Sequence, residues 1–137
     1  MLIYHTHTSY FSAAHKIELT HLSLEENQIL FGKCANPNWH GHNYTLLVTI
    51  KGQINADGYI FPKRALDQLI EEKIIQKIDG SNLNLNTAFM NNLMPSTELI
   101  AAQIWQALQQ DIQIQNCELH KITLWETKNN FIEYFGT

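Results

Sequence analysis

The sequence predicts an α+β domain in which two helices cover one face of a four-stranded antiparallel sheet. Three observations lead there. Apolar and polar residues alternate with period two toward both ends of the chain. Between those stretches, two segments carry apolar residues at helical spacing. The resulting order is strand, strand, helix, helix, strand, strand, with no repeat, low-complexity run or Pro/Gly linker to divide it. One domain over residues 1–137 is therefore expected.

Residues 2–14 are rich in Tyr, Thr, Phe and Ile and read as a long first strand. A polar excursion follows over 18–38, with a short helix expected at 23–29. From 42 to 51 alternation returns: Tyr44, Leu46, Val48 and Ile50 face one way, Thr45, Leu47 and Thr49 the other. Asn55 to Gly58 is a turn signal. The period then changes. Leu66, Leu69, Ile70, Ile74 and Ile78 share one helical face, and Gly80 ends that run. Residues 81–95 read as loop. Ser96 is a good N-cap for a second helix carrying Ile100, Ala101, Ile104, Trp105 and Leu108, with Glu98 in its first turn. Strands at 119–127 and 131–135 flank a tight turn at 128–130.

An open sheet of this kind leaves two edges unpaired, and such edges are blunted, covered or paired with a neighbour. The first strand carries little charge to blunt it, so a closed oligomer that shares a barrel is expected.

A chain of 137 residues can hold a core without disulfide staples. A composition of 45% apolar and 16% charged residues excludes a disordered chain. The net charge of -4 argues against nucleic acid or an anionic membrane as the main partner. A local basic patch remains compatible with a phosphorylated small molecule. No stretch is apolar enough to span a bilayer, and residues 1–7 lack a basic segment followed by an apolar run. A cytosolic protein is therefore expected, with Cys34 a free thiol and Cys117 a minor structural one.

His40-Gly41-His42 is the most informative tripeptide. Histidines at i and i+2 of an extended chain point to one face. Gly41 between them would allow close backbone approach. A catalytic zinc site takes three protein ligands and keeps one position open. His15 is the third candidate, because it ends the first strand where the paired second strand begins. Taken alone, a His-x-His pair is a weak signal. His5 and His7 form another, but lie about 25–35 Å from His15 along an extended strand. They cannot join the same site within one subunit. His21 and His120 read as surface or strand residues.

The segment Phe31-Gly32-Lys33-Cys34-Ala35-Asn36-Pro37-Asn38-Trp39-His40-Gly41-His42-Asn43-Tyr44 resembles the signature of the 6-pyruvoyl-tetrahydropterin synthase family. Phe11-Ser12-Ala13-Ala14-His15 resembles its first zinc-histidine segment. Ser96-Thr97-Glu98 is similar to its pterin-pocket helix start, and Trp125-Glu126-Thr127 to its pterin-anchoring strand. The resemblance implies the tunnelling fold, trimers that pair into a homohexamer, and sites at subunit interfaces. It implies a pterin substrate, 7,8-dihydroneopterin triphosphate, and a zinc ion on His15, His40 and His42. Cys34 would be the general base, activated by zinc and a hydrogen-bonding relay. Glu126 would anchor the pterin, Thr97 would frame the ring, and Ser96 and Glu98 would line the same pocket. Without the resemblance, Glu126 reads as an exposed strand carboxylate and Glu98 as a helix-dipole residue.

The sequence departs from the family pattern at Asp79-Gly80, where Asp-His is usual. The aspartate is kept and the relay histidine is absent. Positioned acid–base groups typically contribute about 10²–10⁴-fold, so turnover is what this change threatens. His120 is a poor stand-in, about 20 Å from Glu126 along a strand. Pro62 is a second departure, at a position where proline suits a helix start. The Cys-x5-His-Gly-His spacing leans toward the pyruvoyl-forming activity over the carboxy-forming sister activity of queuosine precursor synthesis. A pterin-binding member with weak or lost catalysis is the third reading.

Overall fold

The computed structural model describes residues 1–113 and 116–137. Strand β1 (Leu2–His15) pairs along its whole length with β2 (His40–Gln53), from Leu2 opposite Gln53 to His15 opposite His40. The long excursion between them contains helix α1 (Leu24–Phe31) and a 3-10 turn at Gly32–Ala35. Ser23 caps α1 in a reciprocal pair with Glu26. Buried Asn27 ties the excursion together. Its side chain accepts from the Leu19 N–H at 2.8 Å and donates to the carbonyls of Leu19, Leu22 and Ser23.

Helix α2 (Lys63–Ile70) runs through a π-helical turn (Glu71–Ile75) into α3 (Gln76–Ile78). The wide turn brings adjacent Ile74 and Ile75 both into the core. Strand β3 (Ser81–Asn82), the short α4 (Thr87–Met90), the long α5 (Thr97–Gln113), β4 (Cys117–Thr127) and β5 (Asn130–Tyr134) complete the chain. Ser96 accepts from the Leu99 N–H at 3.2 Å and is the N-cap that the sequence predicts for α5.

The sheet has five strands among the described residues, in the order β3-β1-β2-β4-β5. This corrects the expected four-stranded antiparallel sheet. After Gly80 the chain runs parallel to β1, where Gly80 N–H donates to the Ser12 carbonyl and Leu83 N–H to that of Ala14. Two residues are too few to show a period of two, so the sequence reads as loop there. The same stretch also contains α4, which is likewise too short for a helical period.

Leu46, Val48, Ile50, Leu119, Ile122 and Leu124 of the sheet pack against Leu66, Ile70, Ile74, Ile78, Ile100, Ile104 and Leu108 of the helices. Each such side chain contributes about 1.5–3 kcal/mol when fully buried. On the opposite face Leu2, Tyr4 and Tyr10 are exposed. β3 covers only Ala13 and Ala14 of β1, which leaves most of that edge free, and β5 is the other edge. No helix among the described residues is long and apolar enough to cross a membrane.

Candidate metal centre

The register of β1 and β2 builds the centre. His15 and His40 are direct cross-strand partners, and His42 lies two residues on, on the same face. Nε2 of His15 is 3.0 Å from Nε2 of His40. His15 is fully buried, and its Nδ1 donates to the Pro95 carbonyl at 2.8 Å. That bond leaves Nε2 as a lone pair facing the centre. The sequence suggests that Gly41 serves close backbone approach, but crowding does not demand it: a methyl group there would meet only the Ala13 carbonyl at an ordinary 3.6 Å.

The fourth member is Glu126. Its Oε1 lies 3.0 Å from Nε2 of His42 and 3.2 Å from Nε2 of His15. The donor atoms of His15, His40, His42 and Glu126 all fall within 4.8 Å of one another. Four ligands held tetrahedrally at about 2.0–2.1 Å from a zinc ion would be separated by about 3.3–3.4 Å. Oε1 of Glu126 and Nε2 of His42, the two atoms of the 3.0 Å contact, are buried and have no hydrogen-bond partner. The short contacts therefore bring these atoms close without pairing them. Buried polar atoms without partners are rare and costly. Lone pairs aimed at one point, instead of at one another, fit a cation between them.

The electrostatics agree. Burial, then the neighbouring His15 and His42 rings, hold the His40 imidazole below its usual pKa, against the pull of Glu126. Burial lowers His42 as well, again against Glu126. Neutral imidazole is the form that binds a metal. Contact with His15 is the largest cause holding the Glu126 carboxyl below the usual range. Burial opposes it, while His42 and Thr97 assist.

A groove of about 510 Å³ opens beside the centre. Ser96, Thr97, Glu98 and Glu126 all line it, with Ile17, Phe31, Met94, Phe131 and Ile132 as apolar walls. This is the size range of small-molecule sites, with few polar groups on mostly apolar walls.

The chain matches the family model described as 6-pyruvoyl tetrahydropterin synthase over residues 4–137. It belongs to that family. It is 40% identical over 127 residues to the 6-pyruvoyl tetrahydrobiopterin synthase of Homo sapiens, covering 92% of this chain and 86% of that one. It is 35% identical over 132 residues to the enzyme of that name from Dictyostelium discoideum, covering 96% and 94%. The structure of Caenorhabditis elegans 6-pyruvoyl tetrahydropterin synthase superposes with a TM-score of 0.89 at 28% identity, over 100% of this chain and 97% of that one.

Within this member of the 6-pyruvoyl tetrahydropterin synthase family, Cys34 sits in the 3-10 turn. Its carbonyl accepts from the Ile17 N–H at 2.6 Å, which fastens the turn to the end of β1. Burial, then the Glu126 charge, push the Cys34 thiol up. The sequence reading expects the opposite shift. It assumes a zinc ion and a relay beside the thiol, whereas the chain's own groups present burial and an anion. Asp79 lies elsewhere in the subunit, and its Oδ1 accepts from the Ser12 backbone N–H at 2.9 Å on the outer side of β1. Gly80 has φ +72°, and a Cβ added there meets nothing within 4 Å. His120 packs against Tyr4 and Phe135, well apart from the centre.

Sequence reasoning misses two participants. Glu126 is expected in the groove but not on the histidines. Tyr44 is not expected in the site at all. Phe11 stacks on its ring at 4.7 Å, His42 meets it edge-on at 5.6 Å, and its hydroxyl is buried without a partner. Burial, then the charges of Glu126 and Cys34, push that phenol far up. The signal was present in the sequence, because Tyr44 follows His40 and His42 at the same two-residue spacing.

Proposed function

We propose that this protein is the lyase that eliminates triphosphate from 7,8-dihydroneopterin triphosphate to give 6-pyruvoyl-tetrahydropterin, with His15, His40 and His42 holding zinc. The observation that carries this reading is the convergence of three imidazoles and a carboxylate beside a groove sized for a bicyclic heterocycle. Membership of a family whose relatives carry the synthase name supports the pyruvoyl-forming reaction over the carboxy-forming one.

Each part of the site has a task. The apolar walls of the groove exclude water from the ring. Glu126 accepts from the pterin's 2-amino and ring N–H groups, a two-point pattern that suits a carboxylate. Thr97, buried at the start of α5, frames the ring beside Glu126, with Ser96 and Glu98 on the same rim. Zinc, when bound, supplies Lewis acidity toward the side-chain hydroxyls. Cys34, as thiolate, takes and returns protons along the side chain. Asp79 lies beside the free edge of β1, where a second copy would bring it toward a neighbour's Cys34. Paired β1 and β5 edges in a homohexamer follow from the same reasoning. Without a histidine at position 80 the relay is incomplete, so turnover is slow.

Incubation with 7,8-dihydroneopterin triphosphate followed by product identification tests this reading. Release of triphosphate with a 6-pyruvoyl product is expected. A 6-carboxy product with acetaldehyde, or tight pterin binding without release, would replace it.

A further inference from the structure

Three consecutive residues at the end of β1 join the metal centre to the Cys34 turn, and each is held from a different direction. His15 is held through its ring by the Pro95 carbonyl. Ile17 donates its N–H to the Cys34 carbonyl at 2.6 Å, and Ile17 also walls the groove. Lys16, between them, lies past the last pairs of both ladders, which end at His15 opposite His40 and at Ala14 opposite Asn82. Its backbone groups are taken instead by one side chain. Oδ1 of Asn84 accepts from the Lys16 N–H at 2.7 Å, and Nδ2 of Asn84 donates to the Lys16 carbonyl at 2.9 Å. The carboxamide thus stands in for a peptide unit and carries the β1–β3 ladder one step further. Only this orientation makes both contacts hydrogen bonds. Asn84 is itself fixed, because its N–H donates to Oδ1 of Asn82 at 3.0 Å.

We propose that Asn84 is a positioning residue for the lyase reaction: by gripping both backbone groups of Lys16, it fixes the reach of the Cys34 thiol to a substrate side chain held at the metal. The metal ligand does not depend on this grip. His15 keeps its cross-strand partner His40 and its bond to Pro95 when Lys16 is released. The thiol turn does depend on it. Its backbone tie to the end of β1 is the Ile17–Cys34 bond, so slack at Lys16 passes to the turn. A misplacement of about 1 Å at reacting groups can cost roughly 100-fold in rate. This inference rests on the functional reading above.

The test compares Asn84→Leu and Asn84→Ala, which lose both bonds, with Asn86→Ala, which removes a bond from the same loop to the Lys77 carbonyl. Each is measured for steady-state kinetics with 7,8-dihydroneopterin triphosphate, zinc affinity by chelator competition, and the alkylation rate of Cys34 followed by peptide mass. The Asn84 variants should lose about 10–100-fold in kcat with KM nearly unchanged. Their zinc affinity should fall well short of the roughly 10–100-fold loss that follows removal of a ligand's own hydrogen-bond partner. Half-buried Cys34 should alkylate several-fold faster in them. Asn86→Ala should leave kcat, KM and alkylation unchanged, whatever stability it loses. Asn84→Asp keeps an acceptor for the Lys16 N–H and should recover most of the lost kcat. Asn84 variants with wild-type kcat and alkylation, or with zinc loss in proportion to kcat, would overturn the proposal. So would an equal loss of kcat in Asn86→Ala. Wild-type protein that releases no triphosphate would instead remove the functional reading, and Cys34 alkylation would still decide whether Asn84 holds the thiol.

Discussion

Nδ1 of His15 lies 2.8 Å from the carbonyl oxygen of Pro95, the residue before the N-cap of α5. A carbonyl can only accept, so the proton sits on Nδ1 and the lone pair of Nε2 faces the centre. Ring orientation at the metal is thereby tied to the start of a helix, and Ser96 holds that start. Ser96→Ala should lower stability by about 1 kcal/mol. It should also weaken metal binding roughly tenfold, as loss of groups supporting a ligand does. Denaturant titration and chelator competition check both. A variant that loses stability but keeps full metal affinity would separate the helix cap from the centre.

Tyr44 is only 1% exposed, and its hydroxyl has no partner. An unpaired buried hydroxyl costs about 1–3 kcal/mol of desolvation, and phenylalanine fills the same shape. Tyr44→Phe should therefore be at least as stable as wild type, with a melting temperature raised by up to a few degrees. A melting temperature lowered by several degrees would mean that the hydroxyl is bonded in solution.

Gly80 adopts φ +72° with open space around it. Histidine fits there sterically but pays for the left-handed backbone. Gly80→His should cost about 1 kcal/mol in unfolding free energy. It should also raise turnover, toward the roughly 10²–10⁴-fold span of a positioned acid–base group. Steady-state rates beside denaturation curves measure both. An unchanged rate would show that another group already serves in its place.

Much of this architecture is legible in residue order because it depends on periods. Tyr44, Leu46, Val48 and Ile50 share a face because strands alternate, and His40 and His42 belong to the same alternation. Ile70, Ile74 and Ile78 show their helix through its repeat. The missed features have no period. β3 has two residues, and its pairing is set by where Gly80 turns the chain rather than by side-chain pattern. The position of Glu126 on the histidines comes from the pairing of β2 with β4. Thr45 sits opposite Trp125, and one further step along that register sets Glu126 beside Tyr44. A cross-strand neighbour more than eighty residues away leaves no local trace.

His40 and His42 both have lowered pKa values in the folded chain, first through burial. In the unfolded chain they titrate near about 6.5. Between the two values the unfolded state binds more protons, so stability rises with pH there. The metal-free protein should therefore be fully stabilised above about pH 6.5 and lose stability as pH falls below it. Urea midpoints of metal-stripped protein at pH 7.5 and 5.5 should differ in that direction, and His40→Gln/His42→Gln should reduce the difference. Equal midpoints would contradict buried, neutral imidazoles.

The most direct measurement is the metal content of carefully purified wild-type, Cys34→Ala and His42→Ala proteins. One divalent ion per chain is predicted for the first two, with turnover lost in Cys34→Ala, and none for His42→Ala. A wild-type protein without bound metal, or a His42→Ala protein that retains it, would contradict a centre built on these three rings.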